Sequence, residues 1–193
     1  MKIYLLDRNN EMIQFWRLSF SGISRDEVEI VCDDFGHFMQ TRGKEIDCVV
    51  SPANSYGLMD GGYDAAISLY FGEELVPAVQ SYIREHYFCE QPVGTSFIMQ
   101  IPNSPVRLIH TPTMRVPSVI RDPLVVYHCM RSTLITAMKG GVGSIVIPAF
   151  GGHCGKVPLQ TIALLMRAAY DQLRNMPESM DWLYAYSRRL EGR

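Results

Sequence analysis

Short apolar runs alternate with amphipathic helical patterns along most of this chain. The strand-like runs cover residues 2–7, 28–32, 47–51, 95–101, 106–111 and 144–150. Helical periodicity covers residues 13–20, 63–70, 75–87, 127–138, 162–173 and 180–190. Such alternation predicts an α/β fold, a three-layer α/β/α sandwich with a mostly parallel central sheet. The runs 95–101 and 106–111 are joined by only four residues, so a hairpin there would make the sheet mixed.

Composition narrows the class of protein. At 193 residues, 47% of them hydrophobic, the chain has the size of one domain, which we assign to residues 1–193. The amino terminus reads as a strand, not a signal peptide, and no apolar run is long enough for a membrane span. The five cysteines are scattered, which argues against disulfides and a metal site and favours a reducing cytoplasm. A net charge of −2 without a basic run gives no basis for broad nucleic-acid binding, and the basic end 188–193 reads as a solvated terminus.

Two glycine-rich turns follow strand-like runs. The first contains Gly61-Gly62, and the second reads Phe150-Gly151-Gly152-His153-Cys154-Gly155. Backbone N–H groups in turns between a strand and a helix can bind phosphate, and glycine lets a ligand approach the backbone closely. Plain turn chemistry explains either turn alone, but their joint occurrence at equivalent strand ends favours a diphosphate held between them. Neither turn is a Walker A motif, and no dinucleotide-binding fingerprint follows the first strand.

Three polar residues near these strand ends each have a functional and a structural interpretation. Asp33 suits recognition of an adenine amine, or caps a turn. Asn54 suits a sugar hydroxyl, or holds its own loop. Asp64 is either a first-turn acid favoured by the helix dipole, or a general base that positions water.

His153 and Cys154 are adjacent in the second turn. His153 can orient phosphate or transfer a proton, although an isolated loop histidine is more often neutral surface. Nothing in the sequence pairs the two side chains, so we do not interpret Cys154 as a nucleophile. The other histidines lack metal-ligand spacing and are expected to serve packing or capping.

These turns resemble those of the macrodomain family, the ADP-ribose-binding α/β/α modules. The family's Asn-Ala-Ala-Asn motif, glycine run and Val-Asp are matched by Ser51-Pro52-Ala53-Asn54 and Asp60-Gly61-Gly62-Tyr63-Asp64-Ala65-Ala66-Ile67. The family's second loop, Leu-Gly-Thr-Gly-Val-Gly, is matched more loosely by residues 150–155. Residues 111–117 and 166–170 resemble a microbial and phage-associated branch, and the order of elements agrees over about residues 28–174. Ser51 departs from the motif's first Asn, and His153 departs from a Gly.

The resemblance implies a ligand and a site. Asp33 would bind adenine, the two loops would enclose diphosphate and the distal ribose, and Asn54 and Asp64 would act near the scissile ribose bond. The implied ligand-binding set is Asp33, Asp34, Ala53, Gly61, Gly62, Tyr63, Thr113, Phe150, Gly151, Gly152, His153, Cys154 and Gly155. The partner is ADP-ribose or an ADP-ribosylated target, with no cofactor and no metal.

Three functions remain open at this point. The chain is a hydrolase of ADP-ribosyl or ADP-ribose-phosphate bonds, a binding module for ADP-ribose or a related NAD-derived nucleotide, or a structural, partner-binding domain without catalytic activity. We favour a binding function over a catalytic one, because the two loops alone can form a pocket, whereas turnover also requires accurate placement of a few catalytic groups.

Overall fold

The structure is a computed structural model that describes residues 1–190. Its six strands form one sheet in the order β2-β1-β6-β3-β5-β4, in which every neighbouring pair is parallel except β4 with β5. The strands are β1 (Lys2–Asp7), β2 (Val28–Cys32), β3 (Cys48–Ser51), β4 (Phe97–Gln100), β5 (Arg107–His110) and β6 (Ser144–Ile147). The mixed, mostly parallel α/β sheet is therefore confirmed, and so is the hairpin.

Seven α-helices occur within residues 1–190, and all but the last pack into the two cores beside the sheet. They are α1 (Asn10–Ser19), α2 (Phe35–Arg42), α3 (Gly62–Phe71), α4 (Leu75–Tyr87), α5 (Leu124–Lys139), α6 (Leu159–Arg174) and α7 (Trp182–Ser187), with a short 3₁₀ helix at Gly43–Glu45. None of the helices in residues 1–190 is both long and apolar enough to cross a membrane. The basic end that we assigned to 188–193 lies partly outside the described residues.

Side chains at successive strand positions pack into two separate cores, one on each face of the sheet. In β3, Val50 packs into the core beneath α1, α5 and α6, whereas Val49 packs into the core beneath α2, α3 and α4. Ile145 and Val146 of β6 divide in the same way. Burial on both faces is what a β-branched strand in the middle of a parallel sheet requires, and it produces three layers.

Three details differ from the sequence expectations. Helix α2 was not predicted, and it begins after its N-cap Asp34, whose side chain accepts a hydrogen bond from the His37 backbone N–H. Strand β6 ends at Ile147, not at residue 150, because Pro148 has no N–H to donate to the sheet. On α5, Met138 is exposed, and Ala137 occupies the buried position beside Leu134.

Candidate functional site

The carboxyl ends of β1, β2, β3 and β6 lie at one edge of the sheet, as expected for parallel strands. A cleft along this edge consists of two adjacent cavities. The loop cavity, of about 230 Å³, lies between the two glycine-rich loops. Its wall includes Asn54, Asp64 and Thr113. The strand-end cavity, of about 380 Å³, lies above β1 and β2 and has Asp33 and Asp34 in its wall.

The two parts of the cleft meet where the glycine-rich loops face each other. Their walls share Gly62, Tyr63, Ala149, Gly152 and His153. His153 Nδ1 lies 4.0 Å from the position that a Cβ on Gly62 would occupy. Gly62 has φ +58° and Gly151 has φ +76°, the left-handed region that glycine adopts most easily. The two turns that the sequence paired therefore face each other in the structure.

The first loop is held by its own polar groups. Asn54 Oδ1 accepts hydrogen bonds from the backbone N–H of Tyr56 (3.0 Å) and of Leu58 (3.3 Å), while Asn54 Nδ2 donates to Leu58 O at 2.8 Å. Thr113 ties the loop to the chain after β5, since its Oγ1 donates to Pro52 O at 3.1 Å. The interpretation of Asn54 as a loop-holding residue thus describes its side-chain hydrogen bonds within residues 1–190, and only one of the two Nδ2 hydrogens is used in them.

Asp64 is the third residue of α3 and lies in the wall of the loop cavity. Its Oδ1 accepts a hydrogen bond from Ser51 Oγ at 2.7 Å, and Ser51 is fully buried at the end of β3. Burial raises the pKa of Asp64 to about 7, and the nearby Asp60 carboxylate adds to this rise, while the Ser51 hydroxyl opposes it. A carboxyl group with a pKa near neutrality can exchange protons with a ligand at physiological pH.

At the other end of the cleft, Asp33 and Asp34 have different partners. Asp33 Oδ2 lies 2.7 Å from His37 Nδ1, and this contact raises the pKa of His37. Asp34 Oδ1 accepts the His37 backbone N–H at 2.9 Å and so caps α2. The same cavity is lined by Asp7, Arg8 and Asn9, which sequence reasoning missed although β1 ends at this edge of the sheet.

Two residues of the second loop do not line either cavity. Phe150 is fully buried in the core beneath α5 and α6, so its side chain serves packing. Gly155 packs so closely that a Cβ there would lie 2.5 Å from Gly151 O and 2.5 Å from Ile120 Cδ1. Both residues therefore have packing roles, and their contact with a ligand stays a prediction.

His153 and Cys154, in contrast, are exposed in the wall of the loop cavity. Cys154 Sγ lies 3.5 Å from His153 Nδ1, a pairing that the sequence did not indicate. Most of the remaining predicted ligand-binding residues also face this cavity: Ala53, Gly61, Gly62, Tyr63, Thr113, Gly151 and Gly152.

The comparisons with known proteins agree with this geometry. The family model described as Macro domain matches residues 50–166. An uncharacterized protein of Aquifex aeolicus (strain VF5) is 31% identical over 132 residues, which cover 67% of this chain and 74% of that relative. The Oceanobacillus iheyensis macrodomain with ADP has a TM-score of 0.58 at 25% identity, over 66% of this chain and 68% of that chain. The Trypanosoma brucei macrodomain in complex with ADP has a TM-score of 0.53 at 25% identity, over 66% of this chain and 53% of that chain. The chain described here belongs to the macrodomain family.

Proposed function

We propose that this protein binds ADP-ribose, free or attached to a target protein, along the full length of the cleft. The observation that carries the proposal is that the two cavities are adjacent and share Gly62, Gly152 and His153 in their walls. We expect the diphosphate to cross this glycine-lined boundary, called here the passage, with a nucleoside in one cavity and a sugar in the other. The ADP bound by two similar macrodomains corresponds to the part of this ligand that would fill the strand-end cavity and the passage.

The residues divide between the parts of the ligand. Asp33, which lines the strand-end cavity together with Asp34, would accept a hydrogen bond from the adenine amine. Backbone N–H groups around Gly62 and Gly152 would bind the diphosphate, with His153 beside it. The distal ribose would enter the loop cavity, against Ala53, Asn54, Thr113 and Cys154.

A graded series of side chains at Gly61 tests occupancy of this cleft. Gly61 lines the loop cavity, its φ is −135°, and a Cβ there would meet no atom within 4 Å. A larger side chain can therefore enter the ligand's space without disturbing the fold. Isothermal titration calorimetry with ADP-ribose should show a small loss of affinity for Gly61→Ala and a loss of at least about tenfold, or roughly 1.4 kcal/mol, for Gly61→Val. Equal affinity across the series, at an unchanged unfolding temperature, would place the ligand elsewhere.

We further propose that the site hydrolyses a bond at the anomeric carbon of the distal ribose. Ionised Asp64 would take a proton from a water molecule, and the water oxygen would form a bond to the anomeric carbon. At the same time the bond between that carbon and a carboxylate or phosphate oxygen would break. The leaving group departs as an anion, Asp64 releases its proton to solvent, and the product is ADP-ribose. The remaining amide hydrogen of Asn54 and the loop N–H groups would stabilise the developing charge.

Asp64→Asn separates hydrolysis from binding. This change keeps the size of the side chain and its contact with Ser51 but removes the proton acceptor. We expect affinity for ADP-ribose to stay within a few-fold, while release of ADP-ribose from an ester-linked ADP-ribosylated protein, or from ADP-ribose 1″-phosphate, falls by at least about a hundredfold. Glu73→Gln, an exposed acid beyond the other end of α3, is the matched control. Turnover that survives in Asp64→Asn would remove Asp64 from the reaction.

Two alternatives have distinct outcomes in the same assays. Tight binding of ADP-ribose with no product from either substrate would identify a binding module, and absence of binding would identify a structural or partner-binding domain. We also keep two proposals from the sequence: one domain over 1–193, and a cytoplasmic location. Within residues 1–190, all five cysteines are free thiols, three of them exposed, which is compatible with a reducing compartment.

A further inference from the structure

Ser51 lies at the end of β3, where the family motif has Asn, and it lines neither cavity. Val49 and Val50 of the same strand point into opposite cores, so the next side chain along the strand points toward α3. Ser51 Oγ lies 2.7 Å from Asp64 Oδ1, so this hydrogen bond links the end of β3 to the first turn of α3. Ser51 itself is fully buried.

The chemistry of this contact is asymmetric. A serine hydroxyl has one hydrogen, and against an ionised carboxylate it can only donate. Among the described residues, Ser51 donates a hydrogen bond to Asp64 Oδ1, and no residue donates one to Asp64 Oδ2. Because Asp64 forms part of the wall of the loop cavity and is only partly shielded there, Oδ2 is the oxygen left to meet a ligand or water.

We propose that Ser51 is a positioning residue, which holds Asp64 by Oδ1 and keeps Oδ2 as an ionised hydrogen-bond acceptor in the loop cavity. The proposal deepens the function proposed above, and its effect on turnover rests on that function. It assigns to the serine a task that needs a hydroxyl donor and not only a small side chain.

The charged groups around Asp64 explain why one hydroxyl matters. Asp60, in the loop before α3, disfavours ionisation of Asp64, as does burial. Tyr63 is a buried neutral phenol, and burial lowers the pKa of His110, beside Ser51 on β5, to about 3, so neither supplies positive charge near neutral pH. His153 faces the same cavity from the second loop. The Ser51 hydroxyl is the group in direct contact that favours the ionised form of Asp64.

The sign of the effect follows from the direction of the hydrogen bond. Removing the donor withdraws stabilisation from the ionised carboxylate only, so the pKa of Asp64 must rise. In Ser51→Ala the acceptor is then mostly protonated at pH 7, and activity that needs ionised Asp64 appears only at higher pH.

The experiment is a titration of the Asp64 carboxyl carbon by ¹³C NMR in the ligand-free protein, with Asp64→Asn used to assign the signal. We expect a midpoint near pH 7 in the unaltered protein and a midpoint about one to two pH units higher in Ser51→Ala. Ser51→Thr, which retains a hydroxyl, should restore the original midpoint. Ser55→Ala is a matched control, since Ser55 is a buried serine of the same loop whose Oγ has no partner among the described residues.

An Asp64 midpoint that is the same in Ser51→Ala as in the unaltered protein would overturn the proposal, and so would a midpoint in Ser51→Thr displaced as far as that of Ser51→Ala. The pH profile of ADP-ribose release should move upward by the same interval in Ser51→Ala. If the unaltered protein releases no ADP-ribose, the hydrolytic function fails, while the titration still decides the role of Ser51.

Discussion

Asp33 and Asp34 are adjacent and line the same cavity, but their side chains have different structural tasks. Asp34 caps helix α2, because its Oδ1 accepts a hydrogen bond from the His37 backbone N–H. Asp33 bonds through Oδ2 to the exposed His37 ring and to no helix backbone N–H of α2. We therefore expect substitution of Asp33 to affect ligand binding and substitution of Asp34 to affect stability.

Asp33→Ala should weaken ADP-ribose binding by roughly 10- to 100-fold, the value of a hydrogen bond to a charged group, with little change in unfolding free energy. Asp34→Ala should instead lower the unfolding free energy by about 1 kcal/mol through loss of the helix cap. Calorimetry and urea unfolding of both variants measure the two effects separately. If Asp34→Ala loses more affinity than Asp33→Ala, our assignment of the adenine contact is reversed.

At this scale, sequence reasoning found the residue types but not their partners. Asp64 was recognisable from its place after a glycine pair, yet its contact with Ser51 depends on how β3 and α3 are packed. The sequence left Asn54 with two interpretations, a contact with a sugar hydroxyl or a role in holding its own loop, and its side-chain hydrogen bonds within residues 1–190 lie in the loop. Short-range spacing limits which groups can meet, and only the fold decides which of them do.

The second glycine-rich loop is an element held by packing as much as by hydrogen bonds. Gly151 O accepts the Val157 N–H at 3.2 Å, and Gly155 O accepts the Ile120 N–H at 2.9 Å. Phe150 anchors the start of the loop in the core, and Gly155 lets the chain pass Gly151 at close range. The shape of the ligand passage therefore depends on residues that do not touch the ligand.

Gly155→Ala should accordingly lower the unfolding free energy by about 1–3 kcal/mol, because its Cβ would overlap both Gly151 O and Ile120. It should also weaken ADP-ribose binding, since Gly151 and Gly152 would have to move. Gly61→Ala, where a Cβ has open space, is the control and should cost less than about 1 kcal/mol. Urea unfolding gives the comparison, and equal losses for the two variants would refute the packing argument.

Elements with strong periodicity were predictable, and weak ones were not. The buried face of α6 is continuous, with Ile162, Leu165, Met166 and Ala169 inside, and its pattern is visible in the sequence. Helix α2 buries Phe35, Phe38 and Met39 within eight residues that also include a glycine, so its pattern is too short to stand out. It is the Asp34 cap and packing against α3 that determine this helix.

For the whole molecule, the sheet order explains why distant segments share one site. Strand β6 lies between β1 and β3, which brings the second loop beside both β1 and the first loop. Alternation of strands and helices was enough to predict an edge where these segments meet. The division of the cleft into two cavities depends on His153 and the facing Gly62, and no pattern in the sequence carries that geometry.

The most direct test of the central claim is calorimetric titration of the protein with ADP-ribose, ADP, AMP and NAD under one set of conditions. If the passage holds a diphosphate and the loop cavity holds the distal ribose, ADP-ribose should bind at least about tenfold more tightly than ADP, an increment of one good hydrogen bond, and AMP should bind more weakly still. NAD, whose distal ribose carries an additional ring at the anomeric carbon, should bind less tightly than ADP-ribose. Equal affinity for ADP and ADP-ribose would remove the loop cavity from the site, and no binding of either ligand would contradict the account as a whole.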